Sequence, residues 1–257
     1  MTTELLLPWP ARALGALLDV PVPDLAEEGL PPLWHWLYLL DHPAQADLGQ
    51  DGHPVRNTVP LPPPGRRRMW AGGRVRQSGP LRCGETATRE TTVLSTEDKQ
   101  GRSGPLTFVV VGHQIWQRGE VVVEEEHDIV YREPGPAPDF AQTAEVPATG
   151  DEWVVDVTPT LLFRFSALTY NAHRIHYDRD YARDVEGYPG LLTHGPLQAL
   201  AMAEAGRAQG LQGDFEYRLV APLFDHQGMV VTPTAVRDRY GRVHGSPPVN
   251  PPVLSRR

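Results

Sequence analysis

Phe165-Ser166-Ala167-Leu168-Thr169-Tyr170-Asn171-Ala172-His173-Arg174-Ile175-His176-Tyr177-Asp178 is followed, after a short charged interval, by Tyr188-Pro189-Gly190-Leu191-Leu192-Thr193-His194-Gly195-Pro196. The first stretch opens on helical spacing, with Leu161, Leu162, Phe165, Leu168 and Thr169 in phase. Thr158-Pro159 ahead of it provides an N-cap side chain and a proline at the first helical position. The polar run from Asn171 ends that helix. Thr193-His194-Gly195-Pro196 starts a second one, again with proline in the first turn. Leu197, Leu200, Ala201, Ala205 and Ala208 share a face of this helix, and Gly210 can terminate it. A helix so rich in small residues can lie close against a sheet.

Outward from these helices the pattern is strand-like. Trp153–Val157 precedes them, and Phe215–Ala221 and Met229–Val236 follow. The tail, Gly245–Arg257, carries Pro247, Pro248, Pro251 and Pro252 and reads as unstructured. Prolines cannot supply ladder donors, so the last strand is expected to be missing or its edge completed by a partner, which predicts a homodimer. Upstream, the Pro- and Ala-rich segment 134–150 reads as a linker between an N-terminal unit, 1–133, and a C-terminal unit, 151–257. The N-terminal unit holds one apolar helix candidate, Leu33–Leu40. It also holds a hairpin, Leu106–Trp116 and Glu120–Tyr131 around Arg118-Gly119, and a third strand, Glu85–Thr96. A helix with antiparallel strands in each half describes an α+β fold.

Composition narrows the partners. The 257 residues suffice for one large domain or two small ones, and 27 prolines with 24 glycines favour turns over long helices. The formal net charge of −8 argues against nucleic acid but leaves room for a phosphorylated ligand held by local arginines. Cys83 is the only cysteine, so there is neither an internal disulfide nor a cysteine metal cage, and a reducing compartment fits. No run approaches the roughly 18 apolar residues that span a membrane. The start has an early Glu4 and no basic leader, so a cytoplasmic location is expected.

The two quoted stretches resemble the MaoC-like (R)-specific enoyl-CoA hydratases, also called hydratase 2. His176 falls on that family's catalytic histidine, and His194-Gly195 on the His-Gly that opens its central helix. Phe163–Thr169 with Asn171–Asp178 is similar to the branch of mesaconyl-CoA and itaconyl-CoA hydratases and mitochondrial-type 3-hydroxyacyl-thioester dehydratases. So are Trp34–Leu40, Asp51-Gly52-His53-Pro54, Arg67–Gly73 and Asp128–Arg132, and the likeness runs to about Val243. It implies a double hot-dog, two antiparallel sheets each wrapped around a helix. The N-terminal copy would be degenerate, shaping the acyl pocket without catalytic residues. It further implies a hydro-lyase acting on a short branched enoyl-CoA, foremost mesaconyl-CoA to citramalyl-CoA. Coenzyme A would be part of the substrate, with no other cofactor and no metal. An itaconyl-CoA hydratase or 3-hydroxyacyl-thioester dehydratase is the near alternative. An acyl-CoA thioesterase or a non-catalytic acyl-CoA-binding protein is the alternative of another class, although thioesterases lack this loop motif.

One departure bears on mechanism. The hydratase 2 motif has Asp where this chain has Asn171, and Asn where it has His173. An amide takes no proton at neutral pH, so His176 is expected to be general base and acid. Asn171 would hold water or orient a histidine, and His173 would share proton handling. The Gly195 N–H, at a helix N-terminus, would stabilise the thioester oxyanion. His173 and His176 have a spacing that suits a metal, but no third ligand stands at recognisable spacing. Arg174 is expected to meet a substrate carboxylate, Arg67 and Arg68 the CoA phosphates, and Tyr170, Tyr188 and His194 to line the pocket. Trp34, Trp36 and Trp70 read as core or pocket wall.

Overall fold

The computed structural model describes residues 1–56, 58–101, 104–135, 144–211 and 213–247. Among them the chain forms β1 (Thr2–Leu5), α1 (Pro8–Leu18), β2 (Arg67–Gln77), β3 (Thr86–Gly101), β4 (Gly104–Gln117) and β5 (Glu120–Arg132). After the linker come β6 (Trp153–Val155), α2 (Pro159–Leu168), α3 (Arg179–Asp184), α4 (Gly195–Ala208), β7 (Phe215–Leu219), β8 (Met229–Thr232), β9 (Ala235–Arg237) and β10 (Val243–Ser246). The strands make one sheet in the order β1-β3-β4-β5-β2-β7-β10-β9-β8-β6, antiparallel throughout.

Local chemistry explains much of this. Arg118 and Gly119 both have positive φ, 54° and 83°, the geometry a two-residue hairpin turn needs between twisted strands, and β4 pairs with β5 directly across them. The Thr158 hydroxyl accepts the Leu161 N–H at 3.1 Å and caps α2. The two halves of the sheet meet where β2 runs beside β7, from Gly72↔Arg218 to Val75↔Phe215. A Cβ on Gly72 would come within 2.5 Å of the Tyr217 carbonyl oxygen, so only glycine lets these backbones pair.

The helix α4 lies on the sheet and is buried from Leu197 through Gly206. Its buried sides carry Leu, Met and Ala, so burial is not confined to the single face the apolar period suggests. One core joins both halves, including Leu14, Trp34, Phe165, Leu200 and Tyr217. No described helix is long and apolar enough to cross a membrane.

Four expectations are corrected. The helix expected at Leu33–Leu40 is only a 3-10 turn at Trp34–Leu37, with Leu33 and Leu39 at φ 68° and 54°. Its side chains are buried one by one, and Trp34 Nε1 donates to Glu204 of α4 at 2.6 Å, so tertiary burial rather than helix periodicity places them. The helix of the front half is α1, where Pro8 stands in the first turn. The strand expected at Met229–Val236 breaks at Pro233-Thr234 into the hairpin β8–β9. The last strand is not missing: Val243–Ser246 forms β10 between β7 and β9, in the sheet interior, so the edge argument for a partner loses its basis. The tail beyond 247 lies outside the described residues, as does part of the 134–150 linker, whose described part has no helix or strand.

Candidate active site

The polar loop after α2 folds back on itself. Asn171 N–H donates to the Ser166 carbonyl at 2.9 Å, and Asn171 Oδ1 accepts the His173 N–H at 3.0 Å. Asn171 therefore works as a turn residue holding His173. A short 3-10 turn, Arg174–His176, then carries His176 inward to 6% exposure. His176 Nδ1 donates to the Leu192 carbonyl at 2.7 Å, which fixes the tautomer and leaves Nε2 with a lone pair. Burial pushes His176 down to about 4, against the opposing pull of the Leu192 carbonyl and with a further lowering from His53. It is neutral at pH 7 and able to accept a proton.

His194 lies flat against it, with ring centroids 3.7 Å apart and planes 17° from parallel. His194 is fully buried and hydrogen-bonded through Nε2 to Ser166 Oγ at 2.8 Å, so it supports the His176 ring from behind. Burial and its histidine neighbours keep it well below the ordinary histidine range. Immediately after it α4 begins, with Gly195 and Pro196 in its first turn. Among the described residues, Thr193 Oγ1, His194 Nδ1 and the Gly195 N–H at this helix mouth have no protein hydrogen-bond partner. Unpaired donors and the positive end of a helix dipole together favour developing negative charge. A Cβ on Gly195 would fall 2.5 Å from Leu219 Cδ1, so a larger residue here would require the Leu219 side chain to move.

The structure also brings in a loop of the front half. The Arg174 N–H donates to the Asp51 carbonyl at 2.9 Å, and Arg174 Nη1 to the Gln50 carbonyl at 3.1 Å. Gly52 sits at φ +89°, and a Cβ there would lie 1.8 Å from the Ala172 carbonyl oxygen. The substitution Gly52→Ala is therefore expected to cost about 3 kcal/mol or more, combining left-handed strain with a backbone overlap, and to lower turnover by pushing this loop off. Thermal unfolding and kcat measured together check this. The same loop presents His53, whose ring lies 4.1 Å from that of His173, and His173 meets His176 edge-on at 5.4 Å. Burial, then His53, His176 and Arg68, hold His173 well below the ordinary range.

The other residues singled out in the sequence are placed as follows. Arg174 is bound to Asp178 at 2.7 Å and stacked over Tyr181, so its charge is already met. Arg67 pairs with Glu186 at 2.7 Å and lies over the Tyr188 ring, whereas Arg68, next along the strand, makes no ion pair among the described residues and lies close enough to Asp51 and His173 to act on both electrostatically. Tyr188 packs on Phe224 at 5.7 Å. Tyr170 is 57% exposed, edge-on to His42. Trp34 and Trp36 spend their indole N–H groups on Glu204 and Glu125, and Trp70 on the Tyr217 hydroxyl.

Sequence reading passed over Asp51 and His53 as site residues, although Asp51-Gly52-His53-Pro54 stood out as a motif. Among the described residues, Asp51, His53 and His173 form a group whose ligand atoms all lie within 4.8 Å of one another, a spacing that could hold a metal ion. A cavity of about 1140 Å³ lies elsewhere, along the far part of α4. Glu90, Glu124, Glu125, Glu126, Asp214 and Glu216 outnumber Arg74 and Arg76 in its wall, a poor surface for a polyphosphate.

Comparison with known proteins shows the fold and the family. Among solved structures, a MaoC-like dehydratase from Phytophthora capsici matches with a TM-score of 0.67 at 13% identity, covering 95% of this chain and 92% of that one. HtdX of Mycobacterium tuberculosis matches with a TM-score of 0.63 at 14% identity, covering 96% of each chain. The fold is thus the double hot-dog of MaoC-like proteins. The profile of the family described as hydroxyacyl-thioester dehydratase type 2 matches residues 33–225, and the chain belongs to that family. A mesaconyl-C(4)-CoA hydratase of Chloroflexus aurantiacus is 48% identical over 223 residues, 84% of this chain and 79% of the relative. The mitochondrial hydroxyacyl-thioester dehydratase type 2 of Schizosaccharomyces pombe is 29% identical over 237 residues, 79% of this chain and 77% of that one.

Proposed function

We propose that the protein is a hydro-lyase that adds water reversibly across the double bond of mesaconyl-CoA, giving citramalyl-CoA, in the cytoplasm. The observation that carries the reaction type is the neutral, tautomer-fixed His176 beside the open N-terminus of α4. The substrate rests on the 48% identity to a mesaconyl-C(4)-CoA hydratase.

The chemistry follows from the parts. His176 Nε2 takes a proton from water as the water oxygen bonds to the β-carbon. The electron pair of the double bond moves toward the thioester oxygen, where the Gly195 N–H meets it. Such a donor is worth about 3–4 kcal/mol in the transition state. Protonation of the α-carbon completes the addition. The test is a panel of enoyl-CoA esters followed by loss of the enoyl thioester absorbance. Mesaconyl-CoA is expected to turn over fastest, and release of free CoA thiol in its place would assign a thioesterase instead.

The buried histidines also set a pH dependence. His113 lies at about 3 and His176 at about 4, with His173 and His194 well below the ordinary value, burial being the first cause in each. All four lie below the unfolded value of about 6.5, so the unfolded chain binds protons first. Stability is therefore complete above about pH 6.5 and falls as pH drops toward 4, with His176 alone accounting for about 3 kcal/mol. Urea midpoints at neutral and at mildly acid pH are expected to show this loss. Turnover is expected to fall with the protonation of His176 as pH approaches 4.

A further inference from the structure

We infer that His53, held by Asp51, is the second proton-transfer group of this site, so that the front half supplies a catalytic residue as well as the pocket wall. The inference rests on the hydro-lyase reading above.

Addition of water needs a base for the water and an acid for the α-carbon. A neutral His176 serves as the base. Asn171 cannot serve as the acid, because an amide carries no transferable proton at neutral pH and its Oδ1 is committed to the His173 N–H. The carboxylates nearby on the catalytic loop and its surroundings are engaged: Asp178 with Arg174, Glu186 with Arg67, and Asp225 with Arg179. Asp51 instead grips a histidine. Its Oδ2 lies 2.9 Å from His53 Nδ1, and its Oδ1 accepts the His53 backbone N–H at 3.0 Å. This pins the ring with Nδ1 as donor and leaves Nε2 for another partner. A carboxylate that orients an imidazole in this way is a recurrent device for proton transfer.

Position supports the role. The His53 side chain is 27% exposed, open to a ligand, whereas His176 is buried. The rings of His53, His173 and His176 follow one another at 4.1 Å and 5.4 Å. The loop cannot drift, because Gly52 is pressed against Ala172 and Arg174 holds both Asp51 and Gln50. The charged and titratable groups that act on this corner include Asp51 on the same loop, His173 and His176 on the catalytic loop, Arg68 on β2 and Tyr181 on α3. Arg68, which makes no ion pair among the described residues, acts electrostatically on both Asp51 and His173.

The step balances. Water oxygen bonds to the β-carbon and its proton passes to His176. The double-bond electrons move onto the α-carbon and thioester oxygen. Protonated His53 gives its Nε2 proton to the α-carbon as the carbonyl re-forms. His176 leaves the step protonated and His53 neutral, and transfer across His173 or through solvent restores both.

The experiment uses the full chain and whichever enoyl-CoA the wild type turns over fastest. The substitution His53→Gln keeps a donor for Asp51 but cannot transfer a proton, and is expected to lower kcat by roughly 10²-fold or more while KM holds. Asp51→Asn, a change at a positioning residue, is expected to lower kcat less than His53→Gln while KM holds. His53→Ala is expected to regain part of its turnover with added imidazole. Wild-type turnover in His53→Gln overturns the inference alone. Loss in His53→Ala that imidazole does not relieve, with a fallen unfolding temperature, assigns a structural role and also overturns it. Activity removed by a chelator and restored by zinc overturns it in favour of a metal on Asp51, His53 and His173. A wild type inactive on every enoyl-CoA defeats the reaction assignment, and this inference with it.

Discussion

Replacing His176 by asparagine is expected to reduce kcat by roughly 10²–10⁴-fold, the range that a positioned acid–base group contributes. Asparagine is chosen because its amide N–H can still reach the Leu192 carbonyl that His176 Nδ1 holds at 2.7 Å. Alanine would strand that buried carbonyl and add about 1–3 kcal/mol of destabilisation that has nothing to do with catalysis. Neither ring neighbour replaces it as the base. His194 is fully buried and bonded to Ser166, and His173 is held by its backbone to Asn171 on the loop outside. The check is initial-rate loss of enoyl absorbance beside a thermal unfolding curve. A folded variant with unreduced turnover would remove His176 from the mechanism.

The largest stability effect is expected away from the site, at Glu125. This carboxylate is 4% exposed, yet it receives Trp36 Nε1 at 2.6 Å and His35 Nε2 at 3.0 Å, and lies 2.8 Å from His127 Nε2. Burial opposes its ionisation, but the charges and donors of His127 and His35 outweigh that and hold it well below the ordinary carboxylate range. Removing one member of a buried charged group leaves the others uncompensated, so Glu125→Ala is expected to cost about 3–5 kcal/mol. Glu125→Gln, which keeps the shape and an acceptor, should cost less. Urea unfolding of both variants at neutral pH decides the matter, and equal midpoints for wild type and Glu125→Ala would show the network to be idle. The consequence reaches the site. Trp36 meets Trp70 edge-on at 6.0 Å, and Trp70 stands beside the start of α4 at Gly195. Loss of Glu125 is therefore expected to loosen the wall next to the Gly195 N–H as well.

Front and back halves differ in how far their sequence could be read. In the back half the cap at Thr158, the proline after it and the His-Gly-Pro start of α4 all act within a turn of helix, and each is found where its residues put it. In the front half the Leu33–Leu40 run is apolar enough for a helix. Its residues are instead drawn separately into the core, in part by a bond from Trp34 to Glu204 across 170 positions. The arginine run 66–68 shows the same limit. As consecutive residues entering a strand, Arg67 meets Glu186 while Arg68 lies near Asp51 and His173, and strand alternation sends neighbours to opposite faces. The tail's prolines concealed β10 because two-sided pairing with β7 and β9 stabilises a short strand that has little apolar character of its own.

Resemblance to the hydratase 2 motif singled out His176 and Gly195 and implied the double hot-dog; by itself the sequence determined an α+β pattern, the hairpin around Arg118-Gly119 and the helix caps. These depend on contacts between residues a few positions apart, or on side-chain chemistry that needs no neighbours. Only the tertiary structure decided that Asn171 serves as a turn residue, that His176 is kept neutral by burial, and that Asp51 and His53 join the site. The last of these requires the loop at Gln50 to dock on Arg174, 124 positions away, and desolvation and cross-chain packing of that kind leave no periodic trace along a chain.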